Sequence, residues 1–176
     1  MTSVPQNTNS ADVPSLASAA RASARASSAP EYDPESVSRV AGGVRIRVID
    51  LVAAHFSRKD ETALPVSAID VPDPELGIDV KWTLADDAKQ LGCLITFATI
   101  FREAEPYRLT AQFRLVYDLE LTQPPEREDL NQFANWNAVF NAWPYWREYL
   151  SSTLNRARLP YYLVPVMGVP LLKKSE

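Results

Sequence analysis

The chain contains few of the residues on which many enzyme sites depend. Its 176 residues include one cysteine, one histidine and five glycines. A single cysteine excludes an intramolecular disulfide and a zinc site built from several thiolates of this chain. The scattered glycines form no glycine-rich phosphate-binding loop. A lone thiol is typical of a reducing compartment, so we expect a cytoplasmic protein.

The sequence also lacks a strong charge and a long apolar run. A net charge of −4 gives no global basic field, which argues against nucleic acid or an anionic membrane as the main partner. No apolar run approaches the roughly 20 residues of a membrane-spanning helix, and the N-terminus has no apolar core of a secretory signal. We therefore expect a soluble protein without nucleic-acid partners or membrane insertion.

The composition divides the chain into a tail and one folded domain. Residues 1–38 are rich in Ser, Ala and Pro, and a segment with so few large apolar side chains is predicted to be disordered. Arg21 and Arg25, among small residues with few acids, leave open an organellar targeting segment. Residues 39–176 are expected to form the domain, and Gly42–Gly43 is interpreted as a hinge before it.

Alternation of apolar and polar residues predicts four strands. Short polar links join the last three, which are therefore expected to form an antiparallel meander over residues 78–84, 91–101 and 107–121. An earlier strand has Val44, Ile46 and Val48 facing inward, and then Ile49 and Leu51. This change of phase predicts a β-bulge. The proline-rich link over residues 58–77 is long for a compact domain, as functional loops often are.

The period then becomes helical. Apolar residues recur every three or four positions at Leu130, Phe133, Trp136, Phe140 and Trp143. Pro144 is expected to bend or restart this helix, and a second run is predicted to end before Pro160. The predicted fold class is α+β, with a four-stranded antiparallel sheet packed against a long, proline-interrupted C-terminal helix.

The residues with reactive side chains do not form a recognisable active site. His55 has no second histidine or cysteine partner with which to hold zinc. Cys93 lies in the inward phase of its strand, where a small buried thiol is the usual role. Acids fall in turns and before the helix, where solvation and the helix dipole explain them. We predict no catalytic residue, no metal site and no cofactor, and a protein that is not an enzyme.

The stretch WPYWREYLSSTLNRARLPYYLVPV, residues 143–166, resembles the corresponding part of the SecB protein-export chaperone family, particularly its SecB-like branch. The order of first strand, crossing loop, meander and long helix also fits over residues 44–167. The resemblance implies a homotetramer, a dimer of dimers, that binds unfolded or nonnative polypeptides without ATP. The matching residues are Pro144, Tyr145, Arg147, Glu148, Leu150, Arg156, Leu159, Pro160, Pro165 and Val166.

Two departures from the family bear on the client. Export chaperones carry acidic residues around a phenylalanine of the first strand that help to dock the translocase motor. Here Ala54 and Ser57 stand around Phe56, so this docking patch is not matched. The family's final helix is replaced by MGVPLLKKSE, residues 167–176. Protein export and a dedicated antitoxin client in a toxin-antitoxin system both stay open, and the first departure favours the second.

The leading hypothesis is an ATP-independent holdase, a chaperone that binds exposed apolar segments of its clients. The predicted client-binding residues of an apolar groove are Trp82, Trp136, Phe140, Trp143, Tyr162, Leu163 and Met167. The predicted structural motif consists of Pro144, Tyr145, Arg147, Glu148, Pro160 and Pro165. The alternative hypothesis is a small-molecule-binding or enzymatic α+β domain with an apolar pocket, whose activity would depend on His55 or a buried carboxylate.

Overall fold

A computed structural model describes residues 30–58, 74–101, 107–159 and 162–167. Most of the predicted tail, most of the proline-rich link after the first strand, and Pro160 lie outside the described residues. The described chain forms one helix, four strands and a long second helix. The first helix is α1 (Pro34–Ala41), and the strands are β1 (Val44–Arg58), β2 (Glu75–Leu84), β3 (Gln90–Phe101) and β4 (Tyr107–Leu119). The long helix consists of three consecutive parts: α2 (Arg127–Gln132), a π-helical stretch (Phe133–Ala138) and α3 (Val139–Arg156).

The four strands form one antiparallel sheet in the order β1-β4-β3-β2, which confirms the predicted meander. Strands β3 and β4 lie in the centre, and every second residue of each is buried. This period of two places one apolar face against the long helix. The buried positions of β4 are the predicted ones: Tyr107, Leu109, Ala111, Phe113, Leu115, Tyr117 and Leu119.

Strand β1 lies at an edge of the sheet and carries two irregularities. Its register against β4 shifts between Ile46 and Val48 and again between Leu51 and Ala53, so a bulge is confirmed. The predicted faces are partly wrong, because the first shift comes before Val48 and not after it. Val48 therefore pairs with Val116, on the face of the sheet away from the helix. A one-residue shift reverses the facing of the side chains that follow.

The long helix packs on the central strands through aromatic rings. Trp146 is fully buried and stacks on Phe97 of β3, and Phe133 contacts the ring of Tyr117 edge-on. Pro144 lies inside α3 on the exposed side, where its missing N–H is tolerated, and the helix continues to Arg156. The helix thus ends before Pro160, as the sequence predicts.

Helix α1 was not predicted from the sequence, and it begins before the boundary proposed at residue 38. The Asp33 side chain accepts a hydrogen bond from the backbone N–H of Glu35, and Pro34 stands in the first turn. Gly43 follows the helix in a packed position, where an added Cβ would collide with the side chain of Leu121. Its carbonyl also accepts a 2.7 Å hydrogen bond from the backbone N–H of Glu120. The expected hinge is therefore a packed joint.

Candidate functional site

Large apolar side chains remain uncovered where the sheet extends past the long helix. On β1, Ile46 and Leu51 pair with buried residues of β4 and so share the face that the helix covers, yet they are 43% and 49% exposed. On β2, Leu76 and Ile78 pair with buried residues of β3 and are 46% and 42% exposed. The helix covers the central strands and leaves an apolar margin along each edge strand.

Sequence reasoning missed these four margin residues as site residues. Alternation alone marks an inward side chain without showing whether anything covers it. The missing information is the strand order, because β1 and β2 lie at opposite edges of the sheet. The long link between them and the short links of the meander were the available signal for that order.

Trp82 lies on β2 in an open cleft beside the start of the long helix. Its indole Nε1 donates a 3.4 Å hydrogen bond to Oδ1 of Asn131, and the guanidinium carbon of Arg127 lies 5.9 Å from the ring centroid. Apolar side chains of Val80, Leu84, Pro125 and Leu130 line the cleft with it. Trp82, a predicted client-binding residue, is therefore half-buried and accessible from the cleft.

Trp136 lies beneath the chain's own N-terminal segment. Its Nε1 donates a 3.1 Å hydrogen bond to the carbonyl of Pro30, and the ring of Tyr32 meets it edge-on at 5.1 Å between centroids. Phe140, one turn further along the helix, is 45% exposed. Of these two residues of the predicted aromatic stripe, Trp136 is covered by the N-terminal segment and Phe140 is exposed to solvent.

Trp143 belongs to the core and to the joint with the C-terminal segment. It is 7% exposed, and its ring meets Phe97 edge-on. Its Nε1 donates a 3.0 Å hydrogen bond to the carbonyl of Pro165, and Nε of Arg147 donates one of 3.0 Å to the carbonyl of Val164. These two donors, one helical turn apart, hold the C-terminal segment against α3.

The remaining predicted groove residues lie on this C-terminal segment, residues 162–167. Tyr162 packs edge-on against Phe101, and Met167 packs partly buried on the core. Leu163 and Val166 face solvent and are 63% and 77% exposed. The segment therefore adds further exposed apolar surface beside the helix.

Most of the predicted structural motif lies on one turn of α3. Tyr145 is 49% exposed and packs at a tilt on Phe113, while Pro144 and Glu148 are exposed. Arg147 of this motif contacts the backbone of the C-terminal segment through its hydrogen bond to the carbonyl of Val164.

The described residues contain no group of three or more His, Cys, Asp or Glu side chains placed to hold a metal ion. His55 is exposed on β1, opposite Thr110. Cys93 is buried, and this burial raises the pKa of its thiol to about 12, so it is protonated at neutral pH. None of the helices in the described part of the chain is long and apolar enough to span a membrane.

Comparison with protein-family models gives no match, and comparison with curated protein sequences gives none either. Solved structures do match. A SecB-like chaperone of Mycobacterium tuberculosis, solved in complex with a ChAD peptide from the HigA1 antitoxin, has a TM-score of 0.60 and 19% identity. The match covers 76% of this chain and 94% of that one. A protein of unknown function from Streptococcus agalactiae matches with a TM-score of 0.45 and 10% identity over 69% of this chain and 96% of that one.

The chain therefore has the SecB-like chaperone fold, an α+β fold with a four-stranded antiparallel sheet and a long C-terminal helix. At 19% identity the likeness concerns the fold alone.

Proposed function

We propose that the protein is an ATP-independent chaperone, a holdase that binds unfolded or nonnative polypeptides and is not an enzyme. The observation that carries this proposal is the pair of apolar margins beside the long helix, formed by Ile46 and Leu51 on β1 and by Leu76 and Ile78 on β2. Contiguous exposed apolar surface is typical of a binding site for another protein.

The margins lie beside the two edge strands of the described sheet, and this suggests how a client is held. An extended client can pair its backbone with an edge strand while its side chains enter the apolar margin. Backbone pairing is independent of client sequence, whereas apolar contacts select unfolded segments over folded surfaces. Trp82, Phe140 and Leu163 are proposed to add contacts from the cleft, the helix and the C-terminal segment.

The solved SecB-like neighbour binds an antitoxin peptide, which supports a polypeptide client for this fold. We propose a dedicated client over general export, because Ala54 and Ser57 stand where the export chaperones carry acidic docking residues. A homotetramer acting in the cytoplasm is part of the same proposal. Such an assembly would place several margins within reach of one client and increase avidity.

The proposal is tested by mixing the purified protein with a chemically denatured, aggregating client and recording light scattering without nucleotide. We expect suppression at a few-fold excess and a tetrameric mass by multi-angle light scattering. Ile78→Glu should weaken suppression, because it places a charge on the apolar margin. Lys81→Gln is the matched control, since it changes the net charge by the same amount on the other face of β2.

The variant His55→Ala distinguishes the holdase from the alternative hypothesis, a small-molecule-binding or enzymatic domain that depends on His55. A holdase should suppress aggregation equally well without this exposed imidazole. A chain that gives no suppression at excess and has a monomeric mass would overturn the chaperone proposal.

A further inference from the structure

The side-chain amide of Gln132 binds the backbone on both sides of Tyr32. Its Nε2 donates a 3.0 Å hydrogen bond to the carbonyl of Glu31, and its Oε1 accepts one of 3.3 Å from the backbone N–H of Asp33. A residue in a parallel sheet makes this pair of hydrogen bonds to the residues before and after its neighbour. Glu128, one turn earlier, accepts a longer 3.4 Å hydrogen bond from the same Nε2, which helps to orient the amide.

Trp136 extends the same surface by one helical turn. Its Nε1 donates to the carbonyl of Pro30, and its ring and that of Tyr32 form a T-shaped pair with 68° between the ring planes. The three hydrogen bonds that join Gln132 and Trp136 to this segment all involve its backbone atoms, so they require an extended segment and no particular side chain. The ring contact adds a preference for an aromatic residue in the middle of that segment.

The long helix departs from α-helical geometry next to Gln132. The π-helical stretch begins at Phe133, directly after Gln132, and contains Trp136. The wider turn changes the angular spacing between the residues on its two sides, and such insertions are frequent at functional sites. Gln132 is only 6% exposed, so its polar amide would be costly to bury without the backbone partners that it binds.

The bound segment and α1 share Asp33, the N-cap of the helix, but α1 also has anchors of its own. Arg39 binds Asp129 with 2.7 Å between Nη2 and Oδ1, and Val37 and Val40 are buried. These contacts hold α1 independently of residues 30–32. Pro34 favours an extended backbone at Asp33, which is the conformation that Gln132 binds. Residues 30–32 can therefore leave the surface of the long helix while Asp33 and α1 stay in place.

We propose that Gln132 and Trp136 form a peptide-binding subsite for an extended segment with a central aromatic residue. Pro30–Asp33 occupy this subsite within the chain and compete with a client segment of the same kind. This inference rests on the proposed chaperone function and adds regulation to it. A protein whose site is partly occupied by its own segment binds a ligand with reduced apparent affinity, by the fraction of molecules in which the site is open.

The test uses the full chain and a labelled peptide, SAPEYDPES, which copies residues 28–36. Its binding is measured by fluorescence anisotropy to the wild-type chain and to Tyr32→Ala. We expect the variant to bind the peptide about three- to tenfold more tightly, because the internal competitor loses its ring contact. A peptide with alanine in place of its tyrosine is the matched control and should bind both chains weakly.

Two substitutions in the subsite itself test whether the peptide binds there. Gln132→Glu removes the donor to the carbonyl of residue 31, and Trp136→Phe removes the donor to the carbonyl of residue 30 but keeps a ring. Either change, combined with Tyr32→Ala, should abolish the gain in peptide affinity. Circular dichroism establishes that each variant is folded, and the phenylalanine variant serves if the glutamate variant does not fold.

The outcomes separate this inference from the chaperone proposal. Equal affinity of the peptide for wild type and Tyr32→Ala would overturn the proposed subsite, even if aggregation is suppressed. A gain in peptide affinity that survives both Gln132→Glu and Trp136→Phe would overturn it as well. Tighter, tyrosine-dependent binding without any suppression of aggregation would support the subsite and contradict the chaperone function.

Discussion

Trp146 stacks on Phe97 with 5.5 Å between the ring centroids and 12° between the ring planes, and both side chains are fully buried. This contact joins the long helix to a central strand. It also leaves the indole Nε1 of Trp146 buried without a hydrogen-bond partner among the described residues. The position therefore combines a large gain from apolar burial with the cost of an unpaired polar group.

Truncation at this position should be severe, and a ring replacement should be mild. Trp146→Ala is expected to lower the free energy of unfolding by about 3–5 kcal/mol, because it removes a large buried ring and leaves a cavity. Trp146→Phe keeps a ring and removes the unpaired N–H, so its cost should be clearly smaller. Urea unfolding measures both. Tyr145→Ala, next in the chain but about half exposed, is the control. Equal losses for the alanine and phenylalanine variants at residue 146 would contradict this account.

The only thiol should report global unfolding. Burial raises the pKa of Cys93 to about 12, so both the thiolate fraction and access of reagent are low in the folded state. At pH 8 we expect reaction with a disulfide reagent to be slow without urea and to accelerate through the unfolding transition. Cys93→Ser supplies the blank for the assay. Rapid stoichiometric reaction of the native protein would show that β3 is open to solvent.

The ion pair between Arg39 and Asp129 should make stability depend on pH. Hydrogen bonds from Arg39 hold the pKa of the Asp129 carboxyl below its ordinary range, despite the opposing effect of burial. A lowered pKa contributes stability above the ordinary value of about 3.9, and this contribution is lost as the pH falls through the lowered value. Asp129→Asn should therefore melt several degrees lower at pH 7, and the difference from wild type should shrink towards pH 2. Asp86→Asn, in an exposed turn, is the control, and a difference that stays constant with pH would refute the assignment.

The C-terminal segment should loosen when its helical donor is removed. Arg147→Ala deletes the hydrogen bond to the carbonyl of Val164, while Trp143 keeps its bond to Pro165. We expect faster hydrogen exchange in residues 162–167 and little change in the sheet, because the strands do not depend on this contact. Glu148→Ala changes the adjacent exposed side chain and should leave exchange unaltered. Uniform acceleration across the whole domain would instead indicate a general loss of stability.

The central sheet could be predicted because its signal is local. Each buried residue of β3 and β4 follows the period of two that the sequence itself displays. The facing of β1 was predicted less well, since a bulge reverses the pattern and its position depends on pairing with β4, which is remote in the sequence. Val48 is the clearest example, because its apolar side chain was assigned to the wrong face.

Helix α1 shows what a composition argument overlooks. Its start carried a usable signal, with Asp33 as the N-cap, Pro34 in the first turn and Glu35 after it. Its stability comes from contacts that are remote in sequence, such as the ion pair from Arg39 to Asp129. The aromatic stripe was likewise found as a pattern, but its separation into a buried Trp143 and an exposed Phe140 depends on how the helix lies on the sheet.

The two register shifts of β1 have a further consequence for colloidal behaviour. They divide the strand into short runs of continuous pairing, 44–46, 48–51 and 53–58. A second copy of the chain that paired a long, straight strand with this edge of the sheet would meet an irregularity after every few residues. Irregular borders of this kind discourage the endless stacking that leads to fibrils. A short, flexible segment meets no such penalty, so these irregularities oppose self-stacking more than they oppose the pairing with a client segment that we propose.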